Sequence, residues 1–435
     1  MANLQAVMHI SSSAVCTVIG QFENTQEGAR PKIIAVGLTH TDAFMQGQIV
    51  NREHLLSAVH KSLQEATDMA GVRIYNPLIS FSTPLMTSDN DMRTVDVMHE
   101  SGLIEAQDVH LAQQLIEDDL ARQDRTLLQC CQQMVMLDTD EQVQDAIGLR
   151  SKQIHVYNHV MSLPASTHQQ ILDLIQDDEI TDRTTVFDGV AGAHYALTNN
   201  EKQQGVCYID IGLSMTKICV YHEGVLIYSD CIAVGGRTVD LDIAKECGIA
   251  LDDTESFKRQ EGTLNAERYS LGSHVIYKKG TKHEKTMLRR ELNQVIEARY
   301  YGIFSEVFDR LTKANLFHAL DAGVVLAGGA CQMDGLTGFI RTNFGIPVRR
   351  IAKPTNIHFD PKHLSDDTIK SLKKHLEDNT LHSAIGLFLF SGSEQFARDQ
   401  QIAHIAEEYS NPLADIWTKF MQKWQIVIAL FKKVA

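Results

Sequence analysis

Apolar residues come first in a β-type run from Val7 to Gly20 and again from Lys32 to Leu38, with a polar stretch from Gln21 to Arg30 between them. Two such runs around a polar connection predict a hairpin. From Arg52 to Met69 the period changes, and Leu55, Leu56, Val59 and Leu63 fall on one helical face. A strand-like stretch from Pro77 to Met86 leads into a segment rich in Asp, Glu and Gln that runs to about Thr167. With its own strand and helix signals (Ile154 to Met161, Gln169 to Ile175), this segment predicts a small inserted α/β subdomain.

The second half repeats the opening. After a Gly/Ala-rich helix start, Phe187 to Leu197, come GVCYIDIG and KICVYHEGVLIY, the latter turning at His222-Glu223-Gly224. Helical and polar segments fill Asp240 to about Leu320, and AGVVLAGGACQMDGL then reads as a strand, a Gly-Gly turn and a helix starting near Met333. A strand at Val348 to Ile351 and a helix at Ser383 to Phe390 close the globular part, and Ser391 to Pro412 has the composition of a linker. Strands alternating with helices in two hairpin-led halves predict α/β layers with mixed sheets.

The last segment, IWTKFMQKWQIVIALFKKV, has a different pattern. At ~100° per residue, Trp417, Phe420, Met421, Trp424, Val427, Ile428 and Phe431 fall on one face, with Lys419, Lys423 and Lys433 opposite. A helix docked on its own protein or on a partner helix would carry a similar apolar face. Tryptophan and phenylalanine opposite lysine is instead the composition of a helix lying in a membrane interface, and lysines in the first half speak against spanning.

Charge reinforces this reading. The 435 residues carry a net charge of −15, yet Ile416 to Ala435 holds four lysines and no acid. An acidic chain argues against nucleic acid as a partner, while a basic end points to a polyanionic surface. With 44% apolar and 22% charged residues the chain belongs with globular proteins of about three domains, neither disordered nor fibrous. The start, MANLQAVMHISSS, has no basic region ahead of an apolar stretch, so a cytosolic chain is expected. Eight cysteines without CxxC spacing are expected to be reduced and mostly buried, and the nineteen histidines contain no HExxH, so no metal site is expected on them.

Two places suggest phosphate chemistry. Gly328-Gly329, directly after an apolar strand, lets a ligand approach bare backbone at a helix start, although a tight turn alone would read the same way. Asp210, followed by Gly212, puts a carboxylate beside a flexible turn, where it can hold Mg²⁺ through water or merely cap its own turn. GxxxxGK[ST] is missing, which excludes a P-loop.

Taken together, AGVVLAGGACQMDGL, YIDIG before a hairpin, GGRTVDLDIA at Gly235 to Ala244, and VIEARY at Val295 to Tyr300 resemble FtsA, the actin-like bacterial division protein that tethers FtsZ to the membrane. The resemblance implies the two-lobed actin-like fold of the actin/hexokinase superfamily, with residues 83–165 as the FtsA-type inserted subdomain 1C. Residues 1–82 and 166–200 would form subdomain 1A, 201–242 and 320–390 subdomain 2A, 243–319 subdomain 2B, 391–411 the linker and 412–435 the membrane helix. It also implies FtsZ's acidic tail peptide as partner through Arg289, Arg290 and Arg299, self-association into filaments, and other division proteins at subdomain 1C. The location implied is the cytoplasmic face of the inner membrane at the division site.

The nucleotide loops depart from the family. Its first loop reads acid-Ile-Gly-Thr-x-Lys, where this chain has HISSSAV, so that His9, Ser11, Ser12 and Ala14 replace the acid, Gly, Thr and Lys. The second reads Asp-x-Gly-Gly-Gly-Thr, where this chain has DIGLSMT. Asp210, Gly212, Lys258, Gly328 and Gly329 remain at family positions, so ATP or ADP with Mg is the cofactor implied, with the adenosine side better preserved than the phosphate side. Losing a loop lysine and a carboxylate removes partners for triphosphate and metal, so no catalytic residues and no ATP hydrolysis are expected. The competing readings are a weak ATPase or kinase of the same superfamily, which would need the acid that His9 replaces, and a pilus-assembly platform protein of the PilM type, which typically lacks the terminal amphipathic helix.

Overall fold

The computed structural model describes residues 4–25, 28–73, 76–175, 184–265, 268–270, 272–279, 283–352, 357–360, 364–377 and 380–397. They form two units, one from 4–90, 120–131 and 159–391, the other from 91–119 and 132–158 with 392–397. The membrane-helix residues Trp417, Lys419, Phe420, Met421, Lys423, Trp424, Val427, Ile428 and Phe431 lie outside the described residues.

The first unit is built twice on one plan. Strands Leu4–Ile10, Ala14–Thr25 and Gly28–His40 make an antiparallel meander, and Leu78–Phe81 and Thr185–Phe187 add to Leu4–Ile10 in parallel. A second meander, Val206–Ile211, Thr216–His222 and Val225–Ile232, is extended in parallel by Val324–Ala327 and Val348–Arg350. In both sheets two later parallel strands lie beside the first strand of the meander, and in the first sheet a short strand, His358–Phe359, also pairs in parallel with the third. All six residues of Val206–Ile211 are buried, as expected for a strand covered on both faces.

Helix Arg52–Ala70 covers the first meander; Asn51 caps it by accepting from the His54 amide, and Gly71 ends it in the left-handed region. Helices Gly236–Cys247 and Arg289–Lys313 enclose the core of the second sheet, which includes Ile209, Ile218, Val239, Tyr300, Phe304 and Leu326. Helices Asp188–Ala196 and His382–Ser391 cross so closely that a Cβ on Gly386 would lie 2.1 Å from the Ala191 carbonyl oxygen.

Three expectations need correction. The run Val7 to Gly20 is two strands, broken at Ser11–Ser13 because the Ser11 hydroxyl closes the turn onto Ala14. The polar stretch Gln21 to Arg30 is mostly strand, with Glu23 opposite Arg30 in the ladder and paired diagonally with Lys32 at 3.1 Å. The segment after Gly328 begins with a 3₁₀ turn, Gly329–Gln332, and its α-helix starts only at Leu336. A hairpin, His274–Lys279 with His283–Leu288, went unpredicted because its lysines and histidines give no alternation.

The second unit has its own core, in which Val95, Ile104, Val109, Val135, Ile154 and Val156 are buried between helix Ala106–Arg122 and strands of the 87–164 segment. Within it Asp108 caps the helix start by accepting from the Met98 and Glu105 amides. No described helix is long and apolar enough to cross a membrane.

Candidate functional site

A cleft of about 1000 Å³ opens in the first unit, and the equivalent turns of the two meanders, Ser11–Ser13 and Gly212–Met215, both line it. These turns touch. The Ser12 and Ser214 hydroxyls are 2.5 Å apart, and Ser214 Oγ also accepts the Gln46 amide at 2.8 Å. The Gly212 and Leu213 carbonyls accept from the amides of Gly236 and Arg237 at 2.9 and 2.7 Å. Those amides begin the helix Gly236–Cys247, so donors that a helix N-terminus would offer to an anion are already engaged.

Beneath the turns lies a charged cluster. Asp210 and Lys217 are cross-strand partners in the second meander, and Asp188 begins the helix that follows Phe187. Lys217 Nζ is 3.0 Å from Asp210 Oδ2 and 3.4 Å from Asp188 Oδ2, while His382 Nε2 approaches Asp210 Oδ2 at 3.4 Å. All three members of the Asp–Lys–Asp group are almost fully buried. Burial opposes charge on Lys217, but the two carboxylates outweigh it and hold the ammonium well above the ordinary lysine range. Burial likewise raises Asp210, and Lys217 and His382 overcome it, keeping this carboxylate well below the usual range. Burial and the neighbouring Asp210 push Asp188 up, Lys217 only partly offsetting them.

His9 stands at the end of the first strand, its Nδ1 3.0 Å from the Ser80 hydroxyl. Burial, then the nearby Lys217 charge, lower it to about 3, so it is a neutral imidazole at physiological pH. Gly328 is required where it is: its φ is +88°, and a Cβ would meet Asp210 Oδ1 at 2.3 Å. Gly329 and Gly212 also line the cleft. Lys258, buried, pairs with Asp240 at 2.8 Å and donates to the Gly236 carbonyl at 3.3 Å.

The residues do not fit a metal–triphosphate group equally at both ends. At the deep end the carboxylates that would face a divalent cation already share an ammonium, and the turn hydroxyls bond each other. At the other end Gly329, Gly236, Lys258, Arg259 and Gly262 border open cleft, and an added Cβ on Gly329 would meet nothing within 4 Å.

Asp210, Gly212, Lys258, Gly328 and Gly329, the five nucleotide-site candidates of the sequence, all line this one cleft. Sequence reasoning passed over Asp188 and His382, whose only signal was an acid opening a Gly/Ala-rich helix and a histidine before an apolar one. The arginines, by contrast, do not form one positive face. On helix Arg289–Lys313, Arg290 and Arg299 are nine residues apart, about 180° around the axis. Arg299 is forked onto Asp242 at 2.5 and 3.0 Å, and Arg289 pairs with Glu261 while lying 4.1 Å from the Tyr269 ring centre. Arg290 is exposed.

The duplicated meander-and-parallel sheets with a cleft between equivalent turns define an actin-like fold, and a solved PilM-PilN type IV pilus biogenesis complex shares the fold at a TM-score of 0.62, 13% identity, and coverage of 89% of this chain and 98% of that one. Within that class the chain is similar in sequence to proteins named FtsA. A family model described as cell division protein FtsA matches residues 207–386. Curated proteins named cell division protein FtsA align from Borreliella burgdorferi (22% identical, 97% of this chain and 99% of that protein) and Escherichia coli K12 (23%, 96% of each). Another, from Neisseria meningitidis serogroup B, is 25% identical over 79% of this chain and 82% of its own length.

Proposed function

We propose that the chain is a division scaffold at the cytoplasmic face of the inner membrane, where it self-associates into filaments and tethers FtsZ through a C-terminal amphipathic helix. The observation that carries this reading is similarity to FtsA proteins along nearly the whole chain, joined to a sequence tail with Trp417, Phe420 and Trp424 opposite Lys419 and Lys423. Likeness to a PilM complex supports the fold alone, and the tail favours the division reading over a pilus platform. The test is co-sedimentation with anionic liposomes. Burying a large apolar side chain contributes ~1.5–3 kcal/mol, so Trp417→Glu with Trp424→Glu should cut partitioning by about a hundredfold or more. A double variant that still pellets with lipid would remove the tail as anchor.

The partner is an acidic, partly apolar peptide of the kind FtsZ carries at its tail, bound by charge-assisted hydrogen bonds from the Arg289–Lys313 helix. Arg290 is the arginine of this helix placed to meet it, since Arg289 and Arg299 already pair with Glu261 and Asp242. Calorimetric titration with the peptide should show Arg290→Glu lowering affinity by about tenfold or more. Unchanged affinity would take this helix out of the partner site.

The scaffold is not an enzyme in this reading. Adenine nucleotide enters at the Gly329–Lys258 end of the cleft, and hydrolysis is not supported. Phosphoryl transfer requires metal, neutralised oxygens and a positioned water, whereas Asp210 is tied to Lys217 and His9 is neutral.

A further inference from the structure

We infer that Lys217 is a resident cation: its ammonium fills the place between Asp188 and Asp210 where an actin-like cleft would take a divalent metal, so this cleft binds its ligand metal-free, by the nucleoside end. The inference deepens the nucleotide reading above and rests on it for the identity of the ligand, though not for the role of the lysine.

Charge accounting at the deep end carries the argument. A divalent ion in a nucleotide cleft does two things: it is held by carboxylates, and it neutralises phosphate oxygens. Here the ammonium lies 3.0 Å from one carboxylate and 3.4 Å from the other, almost without solvent. It is fixed covalently to the strand beside Asp210, so a divalent ion must displace it to bridge the two Oδ2 atoms. One ammonium against two carboxylates leaves the cluster with no positive surplus for phosphate. His9 brings none, being neutral against Ser80.

Four donors beside these turns are also committed. Ser12 and Ser214 bond each other at 2.5 Å, and the amides of Gly236 and Arg237 serve the Gly212 and Leu213 carbonyls. Met215 adds bulk where the family has glycine or threonine, its sulfur against the Ser82 hydroxyl and the Cys231 thiol. A triphosphate at this end meets carboxylates and occupied donors. An adenosine group at the other end meets the open side of Gly329 and the Lys258–Asp240 pair.

The experiment uses the full-length protein and calorimetry with adenosine, AMP and ATP, each with Mg²⁺ and with EDTA. Adenosine and AMP are expected to bind at least as tightly as ATP, with no change on adding Mg²⁺. ATP affinity rising about tenfold or more with Mg²⁺ would overturn the inference. Should none of the three ligands bind, the nucleoside reading fails, and the lysine is judged separately on Mn²⁺. Lys217→Met leaves two buried carboxylates facing each other, so it should gain a Mn²⁺ site seen as a metal-dependent rise in melting temperature, or should fold only with Mn²⁺ present. The unaltered protein should show neither response, and adding Asp188→Asn to Lys217→Met should abolish the gain. A Lys217→Met protein indifferent to Mn²⁺, folded or not, counts against a resident cation.

Discussion

Urea unfolding at pH 5 is expected to find the protein about 6 kcal/mol less stable than at pH 7, from three buried or half-buried histidines at about 2 kcal/mol each. Burial and Lys217 lower His9 to about 3, burial lowers His159 to about 4, and burial with Lys202 lowers His194 to about 4, all from 6.5. As pH falls through 6.5 the unfolded chain takes up these protons, while the folded chain refuses them until the pH nears 4. The unfolded state therefore binds more protons in that window. Stability is complete above it and is lost as the pH drops. Asp188, with its carboxyl pushed up, works the other way and takes back part of the loss. His159 gives the cleanest check, since its ring meets the Asn90 side chain and the Ser229 hydroxyl at 2.8 Å each, which a glutamine can approximate. His159→Gln should shrink the difference between the two pH values by about a third. Equal urea midpoints at pH 7 and pH 5 would show that these imidazoles are not held neutral.

Gly386→Ala is expected to cost about 3 kcal/mol, at the upper end of what overpacking does in a core. The new methyl would lie 2.1 Å from the Ala191 carbonyl oxygen and 3.1 Å from the Tyr195 Cβ, and backbone on the facing helix cannot swing aside as a side-chain tip can. Helices Asp188–Ala196 and His382–Ser391 would have to separate, and they carry Asp188 and His382 to the charged cluster. Gly302 is the control. It lies exposed within helix Arg289–Lys313 with nothing within 4 Å of an added Cβ, so Gly302→Ala should stabilise by about 0.5–1 kcal/mol through helix propensity. Opposite signs for one substitution at two helical glycines separate packing from propensity. If Gly386→Ala left the urea midpoint unmoved, the close crossing would be wrong.

Periodicity made the large elements legible, because burial selects residues one face at a time. Arg52–Ala70 and Val206–Ile211 could be read from their apolar spacing, and the duplicated hairpins from two runs of the same kind. Polar residues hid what they build. Glu23 in the polar stretch pairs with Lys32 across the strands, and the His274–Leu288 hairpin offers no alternation. The five cleft residues were placed by likeness to known motifs, and Lys217 sits one hairpin turn from Asp210, while the roles of Asp188 and His382 depend on distances between segments far apart in the chain. Spacing along a sequence does not encode those. Three arginines on one helix looked like a patch, and only their partners, Asp242 and Glu261, reveal that two are spoken for.

A lysine side chain cannot be spent. If the chain assembles into filaments as proposed above, a subunit that carries its own cation between Asp188 and Asp210 would be chemically the same when newly added and when old. Such a filament has no internal clock to mark age. Under the reading proposed above, its growth and shrinkage would follow concentration and lipid area, and directional turnover would have to come from its partner.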